Sequence, residues 1–160
     1  MSRARRAVIL FIAQGAFSGR FPIAPGTAGT GVGIFVYLGM KNLIPGYYLA
    51  VWLFIFLVGT WTAGQAEIIL SHKDTLSHRD NPSIVIDEIA GYLAAMFLAP
   101  SGWLFIACGF VIFRVFDIVK PWPLKRLQEL HGGAGVMLDD VGAGVYTNIV
   151  LQIAAFLISR

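Results

Sequence analysis

The chain has nine carboxylates, all beyond residue 66: Glu67, Asp74, Asp80, Asp87, Glu88, Asp117, Glu129, Asp139 and Asp140. Two adjacent pairs, Asp87-Glu88 and Asp139-Asp140, each run straight into an apolar stretch, Ile89 to Met96 and Val141 to Ile158. An acid beside hydrocarbon is costly unless it is paired or bound to metal. Helix capping explains one such pair, because first-turn carboxylates meet the positive end of the helix dipole. Two pairs at the starts of two apolar helices point to a hard oxygen-ligand site for Mg²⁺.

The stretch Phe113-Arg-Val-Phe-Asp-Ile-Val-Lys-Pro121 adds Arg114, Asp117 and Lys120 at intervals of three. That spacing puts them on one helix face, where an ordinary ion pair contributes little. A cation, an anion and a cation in a row also suit a metal ligand flanked by phosphate binders. The segment Phe21-Pro-Ile-Ala-Pro-Gly-Thr-Ala-Gly-Thr30 leads into a helix. Its glycines let backbone approach an anion, and Thr27 and Thr30 add hydroxyls. The Lys-Ser/Thr ending of a nucleotide P-loop is missing, and Gly29 with Gly33 also makes a small-residue packing face. His72, His78 and His131 lack metal-ligand spacing and read as solvated loop residues. The lone Cys108, set in an apolar run, reads as a small buried hydrophobe.

The elements that must position these groups are apolar. Hydrophobic residues make up 57% of the 160 residues and charged ones 13%, about half of the ~25% usual in soluble proteins. Lipid is the solvent this composition suits, since so small a chain cannot hide that much apolar surface. The net charge of +3 is mild and its basic residues are scattered, which argues against nucleic acid as a partner. Residues Ala7–Ala13, behind a basic start, read as a retained helix at the membrane surface. Tyr47–Leu70 is the clearest membrane span, and Ala28–Ile44 is a shorter one ended by Pro45-Gly46. The run from Val85 to Val119 splits at Pro100-Ser-Gly102 into halves 85–99 and 103–119. The last span is Val141 to Ile158. The expectation is an all-α, single-domain polytopic membrane helical bundle: five longer helices and a short one at the N-terminus. Two hairpins then bring both acidic pairs, and most basic residues, to one side, which the positive-inside rule makes cytoplasmic. A single span from 89 to 113 would instead separate the acidic pairs across the membrane.

Four stretches carry a family resemblance: Ala24-Pro-Gly-Thr-Ala-Gly-Thr30, Asp80 to Gly91 around Ile84-Val-Ile-Asp-Glu-Ile-Ala-Gly91, Phe113 to Pro123, and Gly135-Val-Met-Leu-Asp-Asp-Val-Gly-Ala-Gly144. In order and spacing the chain resembles the phosphatidylglycerophosphatase A family over nearly its whole length. The resemblance implies a Mg²⁺-dependent phosphatase of the bacterial cytoplasmic (inner) membrane, acting on a phospholipid substrate, phosphatidylglycerophosphate, to give phosphatidylglycerol. Asp87, Glu88, Asp139 and Asp140 would be catalytic and would hold one or two Mg²⁺ ions, with Asp80 and Asp117 as further ligands. Arg114, Lys120, Thr27 and Thr30 would bind the substrate phosphate. Direct water attack and an aspartyl-phosphate intermediate both stay open. A divalent-cation transporter or channel component is the non-enzymatic alternative. A metal-dependent alcohol phosphatidyltransferase lacks its Asp-Gly-x-x-Ala-Arg start here.

Overall fold

The computed structural model describes residues 1–70, 81–127, 130 and 132–159. Asp80, His72, His78 and His131 therefore lie outside the described residues. The fold is all-α, with no strand among the described residues. Helix α1 spans Arg3–Ala13, a 3-10 turn Ser18–Arg20, α2 Pro25–Met40, α3 Pro45–Leu70, α4 Ile86–Ala95, α5 Trp103–Val119, α6 Leu124–Leu127 and α7 Gly133–Ile158. Each expected helix has a counterpart, but only four are longer than the N-terminal one, because α4 has ten residues against the eleven of α1, and α6 is an unforeseen extra turn.

Three boundaries differ in ways that matter. Proline is tolerated in a first turn, so α2 opens at Pro25, earlier than the expected Ala28. The expected helix over 85–99 stops at Ala95. There Leu98 takes a left-handed conformation, and Pro100 and Gly102 block continuation. At ten residues, α4 rises about 15 Å and is too short to cross a bilayer. The final helix starts at Gly133, not at Asp139, so Asp139 and Asp140 sit two turns inside α7. Capping therefore does not explain that pair.

Helices α3 and α7, at 26 residues each, are long and apolar enough to cross a membrane, and only 22% of the most apolar window of each is buried inside the protein. A soluble core helix would bury most of that surface. Short α4 is wedged between them. Tyr48 on α3 donates its hydroxyl to the Leu93 carbonyl at 2.7 Å, and the Trp52 indole N–H donates to Ala90 at 3.0 Å. The orphan carbonyls at the end of α4 are met from α7. The Asn148 amide donates to Ala95 and Phe97, and the Gln152 amide to Leu98. Where no water reaches, such carbonyls need protein partners. Helices α4 and α7 nearly touch at Gly91, where a Cβ would lie 2.6 Å from the Asp140 carbonyl oxygen. Around this contact Tyr92, Leu93, Met96, Phe113, Met137 and Leu151 form the buried core. Gly29 packs on Val85 and Gly33 on Tyr92, so the expected packing role of those glycines is met by α4. Cys108 is free and partly buried against the core.

Candidate metal centre

Three helix ends and one mid-helix pair converge on a cavity of about 330 Å³. Asp87 and Glu88 enter it from the first turn of α4, Arg114 and Asp117 from the last turns of α5, Lys120 from just beyond α5, and Asp139 and Asp140 from α7. Pro25 and Gly26, opening α2, form another wall, and Asn81, Pro82 and Ile84 a further one. The two acidic pairs, separate in sequence, thus share one site, as the reversal near Pro100 requires.

Ligand oxygens of Asp87, Glu88 and Asp140 lie within 4.8 Å of one another. One buried oxygen on each of these carboxylates has no hydrogen-bond partner. Buried polar atoms are ordinarily satisfied, and crowded carboxylates repel. Both deficits are removed by one divalent cation taking those oxygens, so the residues fit such an ion. The electrostatics agree. Burial first, then the charges of Glu88 and Asp140, pushes the metal-free Asp87 carboxyl well above the usual carboxylate range.

The remaining acids hold the cations. Arg114 contacts Asp117 at 2.5 Å and Glu88 at 3.7 Å, and Lys120 pairs with Asp139, whose side chain is almost wholly buried. Burial pulls the Lys120 ammonium down, but the bond and charge of Asp139, with Asp140 and Asp117 behind it, outweigh this and the net shift is upward. Lys120 therefore stays charged at neutral pH. Its backbone is left-handed, which ends α5 and starts the turn into Pro121.

Thr27 and Thr30 do not line the cavity. Thr27 is exposed, and Thr30 is fully buried with its hydroxyl donating to the Gly26 carbonyl at 2.8 Å. The part of α2 that lines the cavity is instead Pro25-Gly26. A Cβ on Gly26 would collide with the Glu88 carboxylate and come within 3.0 Å of the Arg114 guanidinium. Sequence reasoning credited this glycine with close approach, but to a phosphate and not to these side chains. It missed Asn81 and Pro82, whose Asn-Pro turn signal was legible. It also missed Gln14. That buried amide donates to the Ser83 hydroxyl at 3.1 Å, and Ser83 donates to Asn81 at 2.8 Å.

An all-α chain with long apolar helices and a three-carboxylate cluster beside two paired cations is, as a class, a helical protein with an acidic cluster suited to a divalent cation. The chain belongs to the phosphatidylglycerophosphatase A family, which it matches over residues 11–155. It is 37% identical over 142 residues to phosphatidylglycerophosphatase A of Escherichia coli, covering 88% of this chain and 79% of that one. It is 36% identical over 153 residues to the Haemophilus influenzae protein of the same name, covering 89% and 86%. A Bacteroides thetaiotaomicron protein provisionally named a phosphatidylinositol-3-phosphatase is 32% identical over 158 residues, covering 93% and 94%. No solved structure gives a significant match.

Proposed function

We propose that the protein is a Mg²⁺-dependent phosphatase. It removes the terminal phosphate monoester of phosphatidylglycerophosphate to leave phosphatidylglycerol, in the bacterial inner membrane with its site toward the cytoplasm. The observation that carries this reading is the meeting of Asp87, Glu88 and Asp140 beside Arg114 and Lys120 in one cavity. Asp87, Glu88 and Asp140 would hold the ion, and bound Mg²⁺ supplies Lewis-acid activation of the phosphoryl group and of the attacking water. Asp139 and Asp117 fix the two cations through ion pairs, so Lys120 and Arg114 are already aimed when negative charge builds on the phosphoryl oxygens. The open end of α2 at Pro25-Gly26 adds the positive end of a helix dipole. Asp80 remains a proposed further ligand.

The bilayer placement rests on α3 and α7, with α2 and α5 as additional spans and α4 as a half-helix held inside the bundle. On this reading the chain is multi-pass and the acyl chains stay in lipid. Exposed Phe21, Ile23, Ile118 and Trp122 flank the cavity on the chain segments that line it, and such side chains suit a membrane interface. A transport site for cations is disfavoured by the guanidinium and ammonium in the same cavity, which repel a permeating cation. The test is phosphate release from phosphatidylglycerophosphate in mixed micelles by the purified protein. Release with Mg²⁺ and its loss with chelator are expected, and no release at any Mg²⁺ concentration would refute the assignment.

A further inference from the structure

Arg20 takes no part in the cavity, yet its guanidinium is fixed. Its Nε donates to the Gln14 side-chain oxygen at 2.8 Å, and the group lies over the Phe17 ring at 4.2 Å. None of the ion pairs among the described residues includes it, and the residue is exposed. An arginine with a short carboxylate partner would be a structural clamp. This one is held through Nε and the ring face, which leaves its two terminal NH₂ groups directed elsewhere.

The position of Arg20 is tied to the cavity along two paths. Through Gln14 and Ser83 it reaches Asn81, a wall residue, in three consecutive hydrogen bonds of 2.8, 3.1 and 2.8 Å. Along the chain it precedes exposed Phe21 and Ile23 and then the wall residues Ala24, Pro25 and Gly26. A cation followed at once by exposed apolar residues sits naturally where headgroups meet acyl chains. Resting on the proposed substrate, we infer that Arg20 is a specificity-determining residue: it binds the phosphodiester that links headgroup to diacylglycerol while the terminal monoester occupies the metal cavity. A lipid with two phosphate groups separated by a short polyol offers a second anion to a cation outside the cavity, while Arg114 and Lys120 lie within it. A planar guanidinium with both NH₂ groups available matches two oxygens of a phosphodiester.

The product, phosphatidylglycerol, keeps the diester, and inorganic phosphate stands in for the monoester, so inhibition by each reports one site separately. For Arg20→Gln, the KM for phosphatidylglycerophosphate should rise about tenfold with kcat within about twofold. Inhibition by phosphatidylglycerol should weaken by a similar factor, and inhibition by inorganic phosphate should not change. Arg20→Lys, which keeps the charge without the fork, should fall between wild type and Arg20→Gln. The inference is overturned if kcat falls while KM holds, if both inhibitors weaken equally, or if neither does. Wild type that releases no phosphate would instead refute the proposed function and leaves that result distinguishable from these.

Discussion

At the residue scale the seven charged groups of the cavity form a three-carboxylate cluster and two acid–cation pairs, with Glu88 also 3.7 Å from Arg114. Asp87, Glu88 and Asp140 crowd their oxygens together, whereas Asp117 and Asp139 each take a cation. The two sets should respond differently to substitution. Lys120→Met leaves the buried Asp139 without its ammonium and is expected to cost about 3–5 kcal/mol of stability. Pairing it with Asp139→Leu should restore much of that stability, measured by thermal unfolding in detergent, but not activity, because the cavity has lost one of its two cations. The sequence made all of these groups legible as candidates, since acids and bases in an apolar chain are conspicuous. It could not sort them, because Asp139 and Asp140 are neighbours whose side chains leave α7 about 100° apart. The hydroxyls of Thr27 and Thr30 misled for a related reason: a helix that starts at Pro25 turns Thr30 into the core.

At the element scale, α4 is the part on which the site depends. It brings Asp87 and Glu88 to Asp140 only because Gly91 lets it lie against α7 and because Asn148 and Gln152 satisfy its open end. Asn148→Leu would leave the Ala95 and Phe97 carbonyls without that donor, and a loss of about 1–3 kcal/mol is expected in the same unfolding measurement. Gly91→Ala would push the helices apart at the Asp140 backbone. An activity loss of about tenfold or more, with weaker Mg²⁺ dependence, is the expected reading in the phosphate-release assay. Sequence located the break near Pro100, because proline and glycine punctuate any helix. The earlier stop at Ala95 was not legible, since Met96 to Ala99 are as apolar as the helix before them and the polar groups that accept the ending lie on α7.

At the scale of the whole molecule, composition alone pointed to lipid, and the exposed apolar faces of α3 and α7 are consistent with it. The same crowding of acids makes stability, metal and pH one linked problem. Because the metal-free Asp87 carboxyl is raised in the folded state, the folded protein holds its proton at pH values where the unfolded chain has lost it. Stability of the metal-free protein should therefore fall as pH rises from about 4 toward the raised value. A bound divalent cation favours the ionised form, so the gain in Tm on adding Mg²⁺ should grow as pH rises above the ordinary carboxylate range. A gain independent of pH would mean that the cation does not bind these carboxylates.

The central claim is that Asp87 and Asp140, from different helices, hold one catalytic ion. Its most direct test is the Mg²⁺ dependence of phosphate release from phosphatidylglycerophosphate by Asp87→Asn and Asp140→Asn, each compared with the folded wild type. Both variants are expected to lose about 100-fold or more in kcat, and any residual activity should need more Mg²⁺. Undiminished release by both, at wild-type Mg²⁺ requirement, would contradict the account.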